Sequence, residues 1–328
     1  MRKSVLVGDV GGTKVRLAVA HCVSGQITLD VMRVYDDPGI SSFPDAISQF
    51  VYEIENVPNT ALFALAGPIE DDGSIRLTNR SWPTVVPDEI SGKFGFRRTR
   101  IVNDFAAMAR AIPEMDKADF ETIIKHPAPS TGPVLVTGPG TGMGVSTLIP
   151  SVTGGWRVLT GEGGHVAFAP RNAREMAIRD IIAREHGYVS LEMIVAGRWL
   201  IPVYNAICEL NGQPPAPLSP NEILQLADQG DTTCEEVCRF RAMATMGAIG
   251  DAALITGAKG GIVLTGGVAE RTVKWLKAPE ALDRFSSRGQ MSPFLADIPV
   301  SVLQNGEAPL IGAAALAFEA ADSCSFDT

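Results

Sequence analysis

The 328-residue chain holds only five cysteines, Cys22, Cys208, Cys234, Cys238 and Cys324. They are odd in number and scattered, which excludes a disulfide framework and fits reduced thiols in the cytoplasm. Cys234 and Cys238 share a helix-like spacing, but no second cysteine or histidine pair completes a zinc site. Two thiols on one helix face is the plainer reading. No apolar run is long enough to span a bilayer. The amino terminus, Met1 to Asp9, is interrupted too early for a signal peptide. Basic charge is also short: the net charge is −9. That argues against a nucleic-acid binder, whose affinity rests on Lys and Arg at phosphates. Nucleotide binding survives the same argument, because backbone N–H groups and Mg²⁺ can hold phosphate. There is no Walker A pattern and no complete Gly-x-Gly-x-x-Gly fingerprint, so an ordinary dinucleotide dehydrogenase is disfavoured. No repeat of fixed period and no low-complexity tract is visible. The rest of the composition, 45% hydrophobic and 20% charged, is that of a globular chain long enough for two cores.

Glycine, in contrast, is concentrated in two places. The first is Gly8-Asp9-Val10-Gly11-Gly12-Thr13; the second is Gly138-Pro139-Gly140-Thr141-Gly142-Met143-Gly144. Each is flanked by apolar, β-branched runs and reads as a turn between strands. Glycine permits positive φ and leaves no Cβ in the way of a bulky anion. Successive N–H groups in such turns can point at one phosphate. One loop alone is also a plain hairpin. Two of them, each containing a threonine, point to nucleotide phosphates.

The pattern around these loops predicts an α/β chain with mixed sheets covered by helices. Residues 4–35 read as three strands, 43–55 as an amphipathic helix and 60–66 as a buried strand. Strands are predicted at 75–78 and 99–102, with helices at 87–94 and 104–111. Further on come strands at 134–137, 144–149 and 156–159. Helical spacing covers 174–186, 191–195, 197–210, 221–228 and 232–256. The proline-rich stretch 213–220 reads as a surface loop between helices. Strands follow at 261–264 and 299–303, with a terminal helix at 308–321. Residues 275–288 resist assignment.

Several polar groups stand where chemistry is possible. Asp9, at the end of the first strand, can orient Mg²⁺ or its waters against nucleotide phosphates, or can simply favour the turn. Asn103-Asp104 ends a strand where a helix begins, the edge at which α/β sheets bind ligands. One of the two suffices as an N-cap, which leaves the other side chain for a substrate. Gly161-Glu162-Gly163-Gly164-His165 contains Glu-x-x-His, a metal pair if helical. Three glycines make a loop the better reading, in which Glu162 and His165 can hydrogen-bond the hydroxyls of a polyol. A solvated turn with a chance histidine is equally compatible. Glu192 fits the first turn of a helix capped by Ser190. Thr78-Asn79-Arg80-Ser81-Trp82 ends a strand in polar groups and is uninformative alone.

In this order and spacing the stretches resemble bacterial glucokinases, of the hexokinase-like sugar kinases, nearly end to end. Gly8, Asp9, Val10, Gly11, Gly12 and Thr13 resemble the family's first phosphate loop; Gly138, Gly140, Thr141 and Gly142 resemble its second. Asn103-Asp104 resembles the pair holding the catalytic base. Glu162, His165 and Glu192 resemble the sugar-binding loop and its distant partner carboxylate. Gly266 and Gly267, within Thr265–Val268, resemble the loop beside the adenosine. Leu77-Thr78-Asn79 followed by Trp82 completes the match. The resemblance implies a two-lobed, actin-like ATPase (ribonuclease-H-like) fold with its site in the cleft between lobes. It implies a small domain of 1–112 plus 305–328 and a large domain of 113–304. It implies phosphorylation of D-glucose by ATP at the 6-hydroxyl, with Asp104 as base. Asn79, Asn103, Glu162, His165 and Glu192 would hold the sugar, and Asp9 would meet Mg²⁺ through water. It also implies a cytoplasmic homodimer. Lys14 stands where the family often has Asn, and Gly67-Pro68 where Cys-Pro is frequent. The cysteine-rich zinc motif of the repressor-and-sugar-kinase group is absent, which favours the zinc-free group. Another hexose, a sugar-responsive regulator and a filament-forming ATPase are the rival readings.

Overall fold

The computed structural model describes residues 3–12, 14–35, 40–77, 80–126, 131–152 and 154–323. The chain divides into two compact units, Met1–Lys117 with Asn305–Thr328, and Ala118–Gln304. The division falls five residues later than the sequence reading, after a 3₁₀ turn at Ile112–Glu114 that packs on the terminal helix.

The first unit is built on a five-stranded sheet. Its strands are β1 (Lys3–Val10), β2 (Val15–Val23), β3 (Gln26–Tyr35), β4 (Thr60–Leu65) and β5 (Arg98–Asn103), in the order β3-β2-β1-β4-β5. β1, β2 and β3 run antiparallel; β4 and β5 join parallel to β1. The last six residues of β1 are all buried, as a central strand covered on both faces demands. Leu6 and Val10 share one core cluster with Phe43, Ile47 and Phe50 of helix α1 (Phe43–Glu53) and with Phe63. The Phe43 and Phe63 rings meet edge to face, centroids 4.9 Å apart. Val5, Val7 and Asp9 alternate to the opposite side of the strand. Ser42 caps α1 and Pro44 fills its first turn. Helices α2 (Pro87–Phe94) and α3 (Asp104–Ala111) flank β5, and the terminal helix Ala308–Ser323 packs on β1, β2, β4 and α3. Thr78 of the predicted strand at 75–78 lies outside the described residues; the described part, 75–77, makes isolated bridges from Ile75 to Ile69 and Val85.

The second unit has six strands: β6 (Phe120–Ile124), β7 (Val134–Pro139), β8 (Met143–Pro150), β9 (Trp156–Gly161), β10 (Gly261–Leu264) and β11 (Val300–Leu303). Their order is β6-β11-β10-β7-β8-β9. Helices α4 (Ala173–His186), α5 (Glu192–Val195), α6 (Leu200–Leu210), α7 (Pro220–Asp228) and α8 (Thr232–Thr256) come between β9 and β10. Asn172, Ser219 and Asp231 cap α4, α7 and α8 through side-chain oxygens. Residues 213–219 form an exposed loop. After β10 follow α9 (Gly267–Arg271), α10 (Val273–Leu276), α11 (Pro279–Ser286) and α12 (Ser292–Ala296), so the unassigned stretch is two short helices. α8 buries Val237, Phe240, Met246 and Ile249 in the unit's core. Cys234 and Cys238 are buried on this helix and unbonded.

Candidate active site

In the first unit the carboxyl ends of β1, β4 and β5 finish level. Val10 pairs with Leu65, and Leu65 with Asn103. The first glycine loop therefore leaves the sheet two strand spacings, about 10 Å, from Asn103. The Gly11 N–H donates to the Lys14 carbonyl at 3.0 Å and closes the turn. A Cβ on Gly8 would lie 2.7 Å from Leu17 and 2.8 Å from Phe63. None of Gly8, Gly11, Gly138, Gly140 or Gly142 has positive φ. Close approach, not left-handed backbone, explains Gly8, Gly138 and Gly142, which corrects the sequence argument.

Asp9 is buried, and Arg16 donates to its Oδ2 from Nε at 2.9 Å and Nη2 at 2.6 Å. Its Oδ1 has no partner among the described residues. Arg16 also donates to the Gly306 carbonyl. Burial pushes the Asp9 carboxyl up, against the opposing pull of Arg16.

Asn103 is the N-cap of α3. Its Oδ1 accepts from Phe105 N–H at 2.9 Å and Ala106 N–H at 3.3 Å, while Nδ2 donates to the Gly67 carbonyl at 3.1 Å. Both ends of the amide are thus engaged within the unit. Asp104 follows in the first helical turn, half-buried, its Oδ1 accepting from Phe105 N–H at 2.9 Å. Thr13 and Asn79 lie outside the described residues.

In the second unit, four predicted pieces converge on one short stretch of backbone. The Met143 N–H donates to Glu192 Oε2 at 2.8 Å. A Cβ on Gly142 would be 2.5 Å from that same oxygen, and one on Gly164 would be 2.1 Å from the Met143 carbonyl. A Cβ on Gly138 would fall 2.0 Å from the Thr265 carbonyl, and one on Gly266 2.9 Å from that of Pro139. The second glycine loop is therefore wedged between the Gly163–His165 turn, Glu192 and the Thr265-Gly266 loop. The Gly197 N–H holds the Gly140 carbonyl at 2.8 Å. Gly266, at φ 94°, is the loop glycine whose backbone requires its freedom.

Glu162 and His165 bracket a 3₁₀ turn, not an α-helix, and both side chains are exposed. The His165 N–H donates to the Glu162 carbonyl at 3.0 Å, and Tyr188 donates to the His165 carbonyl at 2.7 Å. Glu192 differs from both. It is buried, with Oε2 on Met143 and Oε1 receiving Arg198 Nη2. Arg241, buried in α8, donates to the carbonyls of Ile194, Val195 and Ala196 and so caps the short helix that carries Glu192. Sequence reasoning missed Arg16, Arg198 and Arg241, because their partners are remote backbone or carboxylates with no local signature.

A model of the glucokinase family matches residues 6–320. A glucokinase of Nitrobacter hamburgensis is 33% identical over 319 residues, spanning 96% of this chain and 97% of that one. Among solved structures, the glucokinase of an Antarctic psychrotroph superposes with a TM-score of 0.83 at 30% identity, covering 96% and 98% of the two chains. A ROK-family glucokinase from Streptomyces griseus, solved with glucose and AMPPNP, shares the fold with a TM-score of 0.62 at 20% identity over 95% and 98%.

Proposed function

The chain belongs to the glucokinase family and has the actin-like ATPase fold, and from that premise we propose that it transfers the terminal phosphoryl group of ATP to the 6-hydroxyl of D-glucose. The observation that carries the reading is the meeting at Met143 of a glycine loop suited to phosphate, a Glu-x-x-His turn suited to sugar hydroxyls, and Glu192. Asp104 accepts the hydroxyl proton. Asn103 positions it by capping the helix on which it stands. Glu162 and His165, exposed and fixed by their own backbone bonds, hydrogen-bond the sugar. Glu192 sets the second glycine loop; with both oxygens engaged, it acts on the sugar through that loop more than by direct contact.

Phosphoryl transfer depends mostly on positioning and electrostatics, so a modest base is enough. Among the described residues no cluster of three His, Cys, Asp or Glu gathers. That suits Mg²⁺, which is held chiefly by nucleotide phosphates and waters, with Asp9 Oδ1 as an outer partner. When bound it would neutralise phosphate charge. A homodimer and a cytoplasmic location belong to the same proposal; light scattering near twice 34.8 kDa is expected.

The test is a coupled assay with ATP, Mg²⁺ and a panel of hexoses, run on wild type and Asp104→Ala. Glucose should be turned over fastest. The variant should lose about 100-fold or more in kcat, with glucose affinity much less affected. Turnover within a few-fold of wild type removes Asp104 as the base.

A further inference from the structure

Several buried or half-buried arginines in this chain meet acids: Arg16 meets Asp9, Arg110 meets Glu114 and Glu319, and Arg284 meets Glu175, while Arg241 is satisfied by three backbone carbonyls. Arg80 pairs with no acid among the described residues. Its Nε donates to the Gly11 carbonyl at 2.9 Å, and its guanidinium lies 4.2 Å from the centre of the Trp82 ring. Those two contacts fix the plane of the fork against the first glycine loop. Nη2 is shielded from solvent and meets no acceptor, and Nη1 has no partner among the described residues. Burial lowers the pKa of the guanidinium, with no acid nearby to restore it. A half-desolvated cation without a counter-charge is costly unless an anion arrives. The turn beside it is one whose N–H groups suit phosphate.

We propose that Arg80 is a phosphate-reading residue of the first glycine loop, donating to an oxygen of the terminal phosphoryl group of ATP. The choice of the terminal group rests on the proposed activity. Asp104 stands on the same sheet edge and must touch the acceptor hydroxyl, so the phosphate that reaches this edge is the one transferred. A planar fork matches the equatorial oxygens, on which charge is spread during transfer.

The test compares ADP with AMPPNP by calorimetry. Arg80→Met keeps an apolar stem over Trp82 and removes the donors. It should weaken AMPPNP by about tenfold or more while ADP changes less than about twofold. Arg80→Lys restores charge without the fork and should recover only part of the loss. Equal losses for both nucleotides, with a lowered melting temperature, would show a purely structural Arg80 and overturn the proposal. So would no loss for either. Absence of glucose phosphorylation by wild type would sink the proposed activity, whereas the ADP–AMPPNP contrast judges Arg80 by binding alone.

Discussion

Asn103 and Asp104 divide two tasks that adjacent residues of this type commonly share. The asparagine satisfies orphan N–H groups of α3 and reaches across to Gly67; the aspartate occupies the first turn without being the cap. That division was legible in the sequence, since a cap needs one polar side chain and two were present. The cysteines were half legible. Their spacing placed Cys234 and Cys238 on one face, but only packing shows the consequence. Burial pushes their thiols up from an ordinary 9.0, to about 12 and about 11. Both are neutral in the folded protein at pH 7. Above about pH 9 the unfolded thiols ionise while the folded ones do not, so the unfolded state binds fewer protons and stability falls as pH rises. The melting temperature should decline between about pH 9 and the folded values, and less steeply in Cys234→Ala/Cys238→Ala. Equal slopes for variant and wild type would rule this out.

At the scale of elements, what positions Asp104 is the contact between α3 and the terminal helix. A Cβ on Gly312 would lie 1.8 Å from the Ala107 carbonyl and 2.7 Å from its carbon. Backbone cannot yield as a flexible side chain can, so the helices must separate. Arg110, bonded to Glu319 at 2.8 Å from Nε, spans the same contact. Gly312→Ala should therefore destabilise by about 1–3 kcal/mol, read as a drop in melting temperature of several degrees, and should also reduce turnover by displacing the amino end of α3. An unchanged melting temperature would mean that the helices can part at no cost. The sequence signalled both helices, through apolar spacing and composition, but not the requirement for glycine at this crossing. It also missed β6, whose residues are only partly buried at a sheet edge and lack a strong alternation. It over-read 75–77, where Ile75 is buried but makes single bridges.

Across the whole molecule, the two sheets share one plan. Read from its other side, the second sheet runs β9-β8-β7-β10-β11, with the same antiparallel hairpins and parallel strands as β3-β2-β1-β4-β5, and adds β6 at the edge. Each plan opens on a strand that ends in a glycine loop. No repeat is visible in the sequence, because a shared topology needs only matching burial and turns, not matching residues. Each unit also has its own core cluster. The second unit is continuous in sequence; the first takes in a helix from the far end of the chain. Residues 118–304 alone should melt cooperatively by circular dichroism. Residues 1–117 alone should not, because one side of β1, β2 and β4 would be left uncovered. Cooperative melting of 1–117 would show that the terminal helix is dispensable.

The sequence by itself determined the family and the element types around both glycine loops, because these depend on local turn chemistry, periodicity and the order of short motifs. Tertiary structure alone decided that Glu192 is locked between Met143 and Arg198, that Arg80 meets the Gly11 carbonyl and no acid among the described residues, and that most of the loop glycines leave room for neighbours. Met143 meets Glu192, and Arg80 meets Gly11, across dozens of positions, a separation that only a folded chain brings within hydrogen-bonding reach.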